Sequence, residues 1–333
     1  MQATLPVKLG GLGVRRAVQV APSAYLASSA ATADLVSALL PMSHQSLPVP
    51  SVDVARTKWS QGHSFLPPTG ADALKEKNWD GVITANTAST LLDGAQDEVE
   101  RARLLAAMDK DSGAWLQALP ISSVGLRMDD STLRIAVGLR LGTTICAPHI
   151  CQHCGVEVSS LGTHGLSCKS SEGRHFRHAA VNDIIHRSLL AAGIPSRLEP
   201  PGLSRSDGKR PDGMSLAPWS SGRLLVWDAI CPDTFAVSYR GQATIGAGCV
   251  AASAEERKAL KYSSLTPSYL FTPVAVETSG AIGPRSRAFL RELGRRVWQK
   301  TGEVNSTSYL LQRIAVAVQR GNAVAVMGCI QTH

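Results

Sequence analysis

The sequence predicts an α/β protein in which a helical N-terminal region leads to a small mixed sheet flanked by helices. Three observations carry this. Past residue 150, apolar segments of strand length alternate with amphipathic segments of helix length. Before residue 150, apolar residues recur at three- and four-residue spacing without strand-like alternation. Between the two lies a knot of cysteine and histidine in a segment too short to build a core of its own. The chain has 333 residues, which favours two units over one.

In chain order, residues 1–41 open with Leu5-Pro6-Val7-Lys8-Leu9-Gly10-Gly11-Leu12-Gly13. They then turn helical through Val14, Ala17, Val18, Ala21, Leu35, Leu39 and Leu40, and Pro41 ends the run. Residues 42–95, rich in Ser, Pro and Gly (Pro48, Pro50, Pro67, Pro68, Gly70), read as linker or irregular structure. Residues 96–145 read as a helical connector, with a helix over Glu98 to Leu119 burying Leu104, Leu105, Met108, Trp115 and Leu119. In Met128-Asp129-Asp130, the acidic pair reads as a helix start or turn. Residues 146–172 hold the Cys/His knot. Residues 173–333 hold the sheet: a helix over Arg174–Ala192 closed by Gly193 and Pro195, then strands near Ser196–Glu199, Met214–Leu216 and Leu224–Cys231. A helix over Ala251–Tyr262, a strand over Tyr269–Glu277 and helices over Arg285–Lys300 and Ser306–Ala325 complete it.

The formal net charge of +8 fits a polyanionic partner, nucleic acid foremost, without naming it. No run of 18 apolar residues occurs, and the N-terminus lacks a basic region followed by an apolar core. The expectation is therefore an intracellular protein, without a membrane partner. Aromatic residues make up only 5% of the chain, so no base-stacking platform is evident, and charge alone does not separate DNA from RNA.

Of seven cysteines, Cys151, Cys154 and Cys168 combine with His164 as C-x2-C-x9-H-x3-C. Two thiolates on one knuckle, with a His/Cys pair from a second turn, suit one tetrahedral zinc ion in a closed, structural site. His149 and His153 stand nearby as substitutes for His164. Cys231, Cys249 and Cys329 lie in apolar surroundings and read as small buried hydrophobes.

Two carboxylates stand out beyond the knot. Asp212 follows Lys209-Arg210-Pro211, and Asp228 interrupts the apolar run Leu224-Leu225-Val226-Trp227 and Ala229-Ile230. A carboxylate inside a buried strand is costly unless paired or metal-bound. A hairpin joining the two segments would bring both acids together, a pair that suits Mg²⁺ or Mn²⁺, and Glu199 is a candidate third oxygen ligand. Lys258 and Lys261, three apart on one helix, are candidate catalytic cations, with Glu255 and Glu256 as competing partners. Glu277, at the end of an apolar strand, reads equally as site support or as a strand-end surface residue.

Taken in order, the Cys-Cys-His-Cys cluster, the Arg177-His178 helix, Leu198-Glu199-Pro200, Arg210-Pro211-Asp212, Val226-Trp227-Asp228 and Lys258-x-x-Lys261-Tyr262 form a set. It resembles the C-terminal part of site-specific non-LTR retrotransposon reverse transcriptase/endonuclease polyproteins. The opening Leu5-Pro6-x-x-Leu9-Gly10-Gly11-Leu12-Gly13 is similar to their thumb region. The resemblance implies a restriction-endonuclease-like core and PD-(D/E)xK-type nicking of a DNA target, with RNA as a further partner. Asp212 and Asp228 would hold the metal, and Lys258 or Lys261 would supply the motif's lysine, since Ile230 stands where the common pattern has one. It further implies nuclear action and a remnant without the polymerase palm. Arg174, Arg177, His178, Lys209 and Arg210 are the expected nucleic-acid contacts. An alternative from another class remains: a catalytically inactive, zinc-dependent nucleic-acid binder using Arg174, Arg177, Arg187 and the basic helix Arg287, Arg291, Arg295 and Arg296.

Overall fold

The computed structural model describes residues 1–44, 49–203, 208 and 210–330. Two units divide the chain, Met1–Gly94 and Ala95–His333.

The described residues of the first unit are mainly helical, with α1 (Ala17–Leu39), α2 (Pro50–Ser60) and α3 (Glu76–Asp93). The expectation of a linker or irregular 42–95 segment is thus corrected over Pro50–Ser60 and Glu76–Asp93, while residues 63–69 are irregular as expected. Pro50 is not a breaker here: it stands at the first helical position, where a missing N–H costs nothing. The two tryptophans on either side of the Pro/Gly stretch then supply the core that fixes both helices. Trp59 and Trp79 meet edge-on with ring centroids 5.1 Å apart, and Trp59 donates its indole N–H to the Trp79 carbonyl at 3.1 Å. Leu26 and Ala27 of α1 and Ala55 of α2 pack against them.

The second unit is mixed α/β. It begins with α4 (Glu98–Ala107) and α5 (Asp130–Leu141). The longer helix expected to reach Leu119 stops at Met108 instead. Ser112 donates its hydroxyl to the carbonyls of Ala107 and Asp109, both at 2.9 Å, and buried Arg140 adds a bond to Ala107 at 3.2 Å. Side chains thereby satisfy the carbonyls that another turn would have used. Asp129 caps α5, accepting the Thr132 amide at 2.9 Å, as the helix-start reading of the acidic pair expects.

A two-stranded ribbon, β1 (His149–Ile150) and β2 (Glu157–Val158), and the short α6 (His164–Ser167) carry the Cys/His knot. Then follow α7 (Glu172–Ala191), β3 (Ser196–Leu198), β4 (Gly213–Ser220), β5 (Arg223–Ile230), α8 (Arg240–Ala243), α9 (Cys249–Lys261), β6 (Leu270–Ala275), α10 (Pro284–Thr301) and α11 (Ser306–Gly328). The larger sheet has the order β3-β4-β5-β6; its first pairs are antiparallel, and β6 runs parallel to β5 after the crossover through α8 and α9. The small mixed sheet flanked by helices is therefore as the sequence predicts.

Alternation along β5 decides where the acid goes. Leu225, Trp227 and Ala229 join Val181, Ile185 and Leu189 of α7, Phe289, Leu290 and Leu293 of α10, and Leu310 and Ile314 of α11 in the main core. On the opposite face, Ile230 packs with Ala251 and Ala254 of α9 and Ala275 of β6. Asp228 shares that second register, so its neighbour is α9 rather than the aliphatic core. Among the described residues no helix is long and apolar enough to cross a membrane.

Candidate metal centres and catalytic cleft

The expected hairpin is present. Gly213 pairs with Trp227 across the antiparallel ladder, and the Asp212 amide donates to the Trp227 carbonyl at 3.1 Å. That register sets Asp212 opposite Asp228. Gly213 has a steric reason to be glycine, because the Trp227 indole fills the space a Cβ would need. The Pro-Asp-Gly sequence thus lets the acidic segment lie flat on the central strand.

Each carboxylate has a cationic or cation-forming partner from a different helix. Asp228, 3% exposed, forms an ion pair with Lys258 of α9. Asp212 accepts the Ala229 amide at 2.6 Å and His178 Nε2 of α7 at 3.0 Å. Burial pushes the Asp212 carboxyl up, but the bond and charge of His178 and the Ala229 N–H outweigh it and hold the group below its ordinary range. The same bond to Asp212 raises His178 against the opposing effect of burial. His178 and Lys258 line one open cavity of about 430 Å³, together with Arg174, His175, Asp233 and Tyr239. Carboxylates are the donor type that a hard divalent ion takes, with waters and substrate oxygens as its remaining ligands.

The structure separates the other expected residues from this pair. Lys261 donates to the Tyr262 hydroxyl at 2.9 Å with its ammonium 4.5 Å from that ring, and Tyr262 in turn donates to the Arg210 carbonyl at 2.9 Å. Glu199 takes a left-handed conformation, φ 48°, and its exposed carboxylate pairs with Arg210. Among the described residues, no set of three or more metal-binding side chains includes Glu199, Asp212 and Asp228. Glu255 does not compete for the lysines; it is buried and accepts the Arg285 and Ser286 amides at the start of α10.

Of the expected nucleic-acid contacts, Arg174 is exposed at the cavity and His178 lies half-buried against Asp212. Lys209 falls outside the described residues. Arg177 is 1% exposed, which removes it from any surface contact. Its guanidinium donates to the Leu166 carbonyl at 2.9 Å, to Asn322 Oδ1 at 3.2 Å and to the Gly321 carbonyl at 3.3 Å, tying the Cys/His segment to α11. Arg287 is likewise engaged internally, with Asp109 and, at 2.6 Å, with Asp111, while Arg295 and Arg296 each pair with Glu292 at 2.7 Å.

The Cys/His cluster contains one donor the spacing does not reveal. Cys151, His164, Cys168 and Cys329 offer ligand atoms all within 4.8 Å of one another. Cys154, exposed at the rim, also meets three of these donors: its sulfur lies 3.2 Å from His164 Nε2 and 3.9 Å from the Cys168 sulfur, and it is hydrogen-bonded with Cys151. A Cys3His donor set is one that zinc accepts. His149 is not a substitute ligand, since both its ring nitrogens face carbonyls, Ala147 at 2.8 Å and Cys329 at 3.1 Å. Cys329 lies at the end of the last helix, where no local motif marks it as a ligand.

No family model matches the chain. It is 24% identical, over 96% of its own length, to the retrotransposable element SLACS 132 kDa protein of Trypanosoma brucei gambiense, and it spans 23% of that protein's length.

Proposed function

We propose that the Ala95–His333 unit is a retroelement-derived, divalent-metal-dependent DNA endonuclease that nicks one strand by phosphodiester hydrolysis. The observation that carries this reading is the Asp212/Asp228 pair set opposite each other in the β4/β5 register, with Lys258 on Asp228 and a cavity alongside. The similarity to a retrotransposon-encoded protein over nearly the whole chain supports the retroelement origin.

Asp212 and Asp228 would hold Mg²⁺ or Mn²⁺, which supplies Lewis acidity toward the scissile phosphate and its attacking water. The side chains do the rest. His178 keeps Asp212 ionised and oriented. Lys258 places a positive charge beside the carboxylates, where negative charge grows on the phosphate as the water oxygen bonds to phosphorus and the ester oxygen departs. Arg174 and His175 at the cavity rim offer contacts to the flanking backbone, so Arg174, rather than Arg177, carries that role. The Cys/His cluster would hold structural zinc.

The test is incubation of purified protein with supercoiled plasmid and Mg²⁺ or Mn²⁺, beside Asp228→Ala and Lys258→Ala. Nicked circles from the wild type, lost by a factor of at least about 100 in either variant, are the expected result. Binding without nicking by all three proteins would replace this reading with the zinc-dependent binder.

A further inference from the structure

Five donors converge where four-coordinate zinc takes four: Cys151, Cys154, His164, Cys168 and Cys329. Spacing in the sequence favours the first four. The fold favours a different set, and the distinction changes what the metal does.

Cys151, Cys168 and Cys329 are buried, at 1%, 3% and 1% exposure, in one cluster with Val158, whereas Cys154 is exposed on the rim. The end of α11 is also held in place by bonds that do not involve the thiols. His149 Nε2 meets the Cys329 carbonyl at 3.1 Å, and Gln152 donates to the Gly328 carbonyl at 2.6 Å. Gly165 and Gly173 lie so close to α11 that a Cβ on either would strike the helix backbone, so the segment bearing His164 and Cys168 is fitted to that helix. Three buried thiols and a half-buried imidazole in one mutually close group suit a structural site, and thiolates buried there are tolerable once a metal neutralises them.

We infer that Cys329 is a zinc ligand with Cys151, His164 and Cys168, and that Cys154 stands on the rim outside the coordination. Zinc then joins residues 151–168 to the last turn of α11. It acts as a clamp between the module and the helix that packs on α7, rather than closing a self-contained finger. This rests on the zinc reading above.

The test uses the full chain loaded with Co²⁺ as a spectroscopic probe, comparing wild type, Cys154→Ser and Cys329→Ser by metal stoichiometry and by the sulfur-to-cobalt charge-transfer band. The inference expects Cys154→Ser, whose changed side chain is exposed, to keep one metal per chain and the full band. It expects Cys329→Ser to lose about a third of the band, one thiolate of three, with weakened retention against a chelator. Loss of the band in Cys154→Ser with its retention in Cys329→Ser would overturn the inference while leaving the zinc reading standing. A wild-type chain that binds no metal at all would overturn both.

Discussion

Glu277 shows how one buried side chain sets a pH limit on the fold. It is 1% exposed, so the surface role open to it in the sequence does not apply. Its carboxylate accepts the Ala251 amide in the first turn of α9 at 3.1 Å and the Thr234 hydroxyl at 2.9 Å. Burial raises its pKa to about 7, against those hydrogen bonds. A carboxyl whose folded pKa exceeds its unfolded one favours folding fully below the unfolded value, near 4.3, and that contribution drains away as pH rises through the folded value. Between pH 5 and pH 8 the wild type should therefore lose roughly 2 to 3 kcal/mol more stability than Glu277→Gln, measured by denaturant unfolding at both pH values. Parallel pH profiles for the two proteins would show that Glu277 stays ionised in the fold. The lysines divide at the same scale: Lys258 meets Asp228 and Lys261 meets Tyr262. Lys261→Ala should accordingly nick plasmid far better than Lys258→Ala, and equal losses would count against that division.

Elements with a single strong periodicity were legible in the sequence. The strand around Asp228 could be read because an acid inside an apolar run has few structural explanations, and the hairpin followed from the need to pair it. What escaped was tertiary. Nothing local separates an arginine that meets phosphate from one that braces two elements, and Arg177 became a brace because α7 packs its face against α11. Three buried oxygens depend on its guanidinium, so Arg177→Met should cost about 3 kcal/mol or more in unfolding free energy. The DNA affinity of the folded fraction, and its salt dependence, should not change. A fall of about one in the salt slope would instead mark Arg177 as a phosphate contact. Arg174, one turn away and exposed at the cavity, is the residue expected to give that fall. The first unit's α2 and α3 were missed for a related reason: a Ser/Pro/Gly-rich composition hides two helices whose fixing contact, Trp59 on Trp79, lies twenty residues apart in sequence.

At the scale of the whole chain, each unit has a hydrophobic core of its own residues. The first is built around Leu26, Trp59 and Trp79, and the second around β5, α7, α10 and α11. Every residue proposed for metal, zinc or phosphate lies in the second, and several of its buried charges are satisfied from within it: Glu255 at the start of α10, Glu277 at the start of α9, and Arg287 on Asp109 and Asp111. A domain of 239 residues, counted from Ala95 to His333, is large enough to hold its own core. Residues 95–333 expressed alone should unfold in one cooperative transition and retain metal-dependent nicking that Asp228→Ala abolishes. If that piece is folded but no longer nicks or binds DNA, the Met1–Gly94 unit contributes directly to substrate. If it fails to fold, the two units are one cooperative body, and the division into separate cores is not a division in stability.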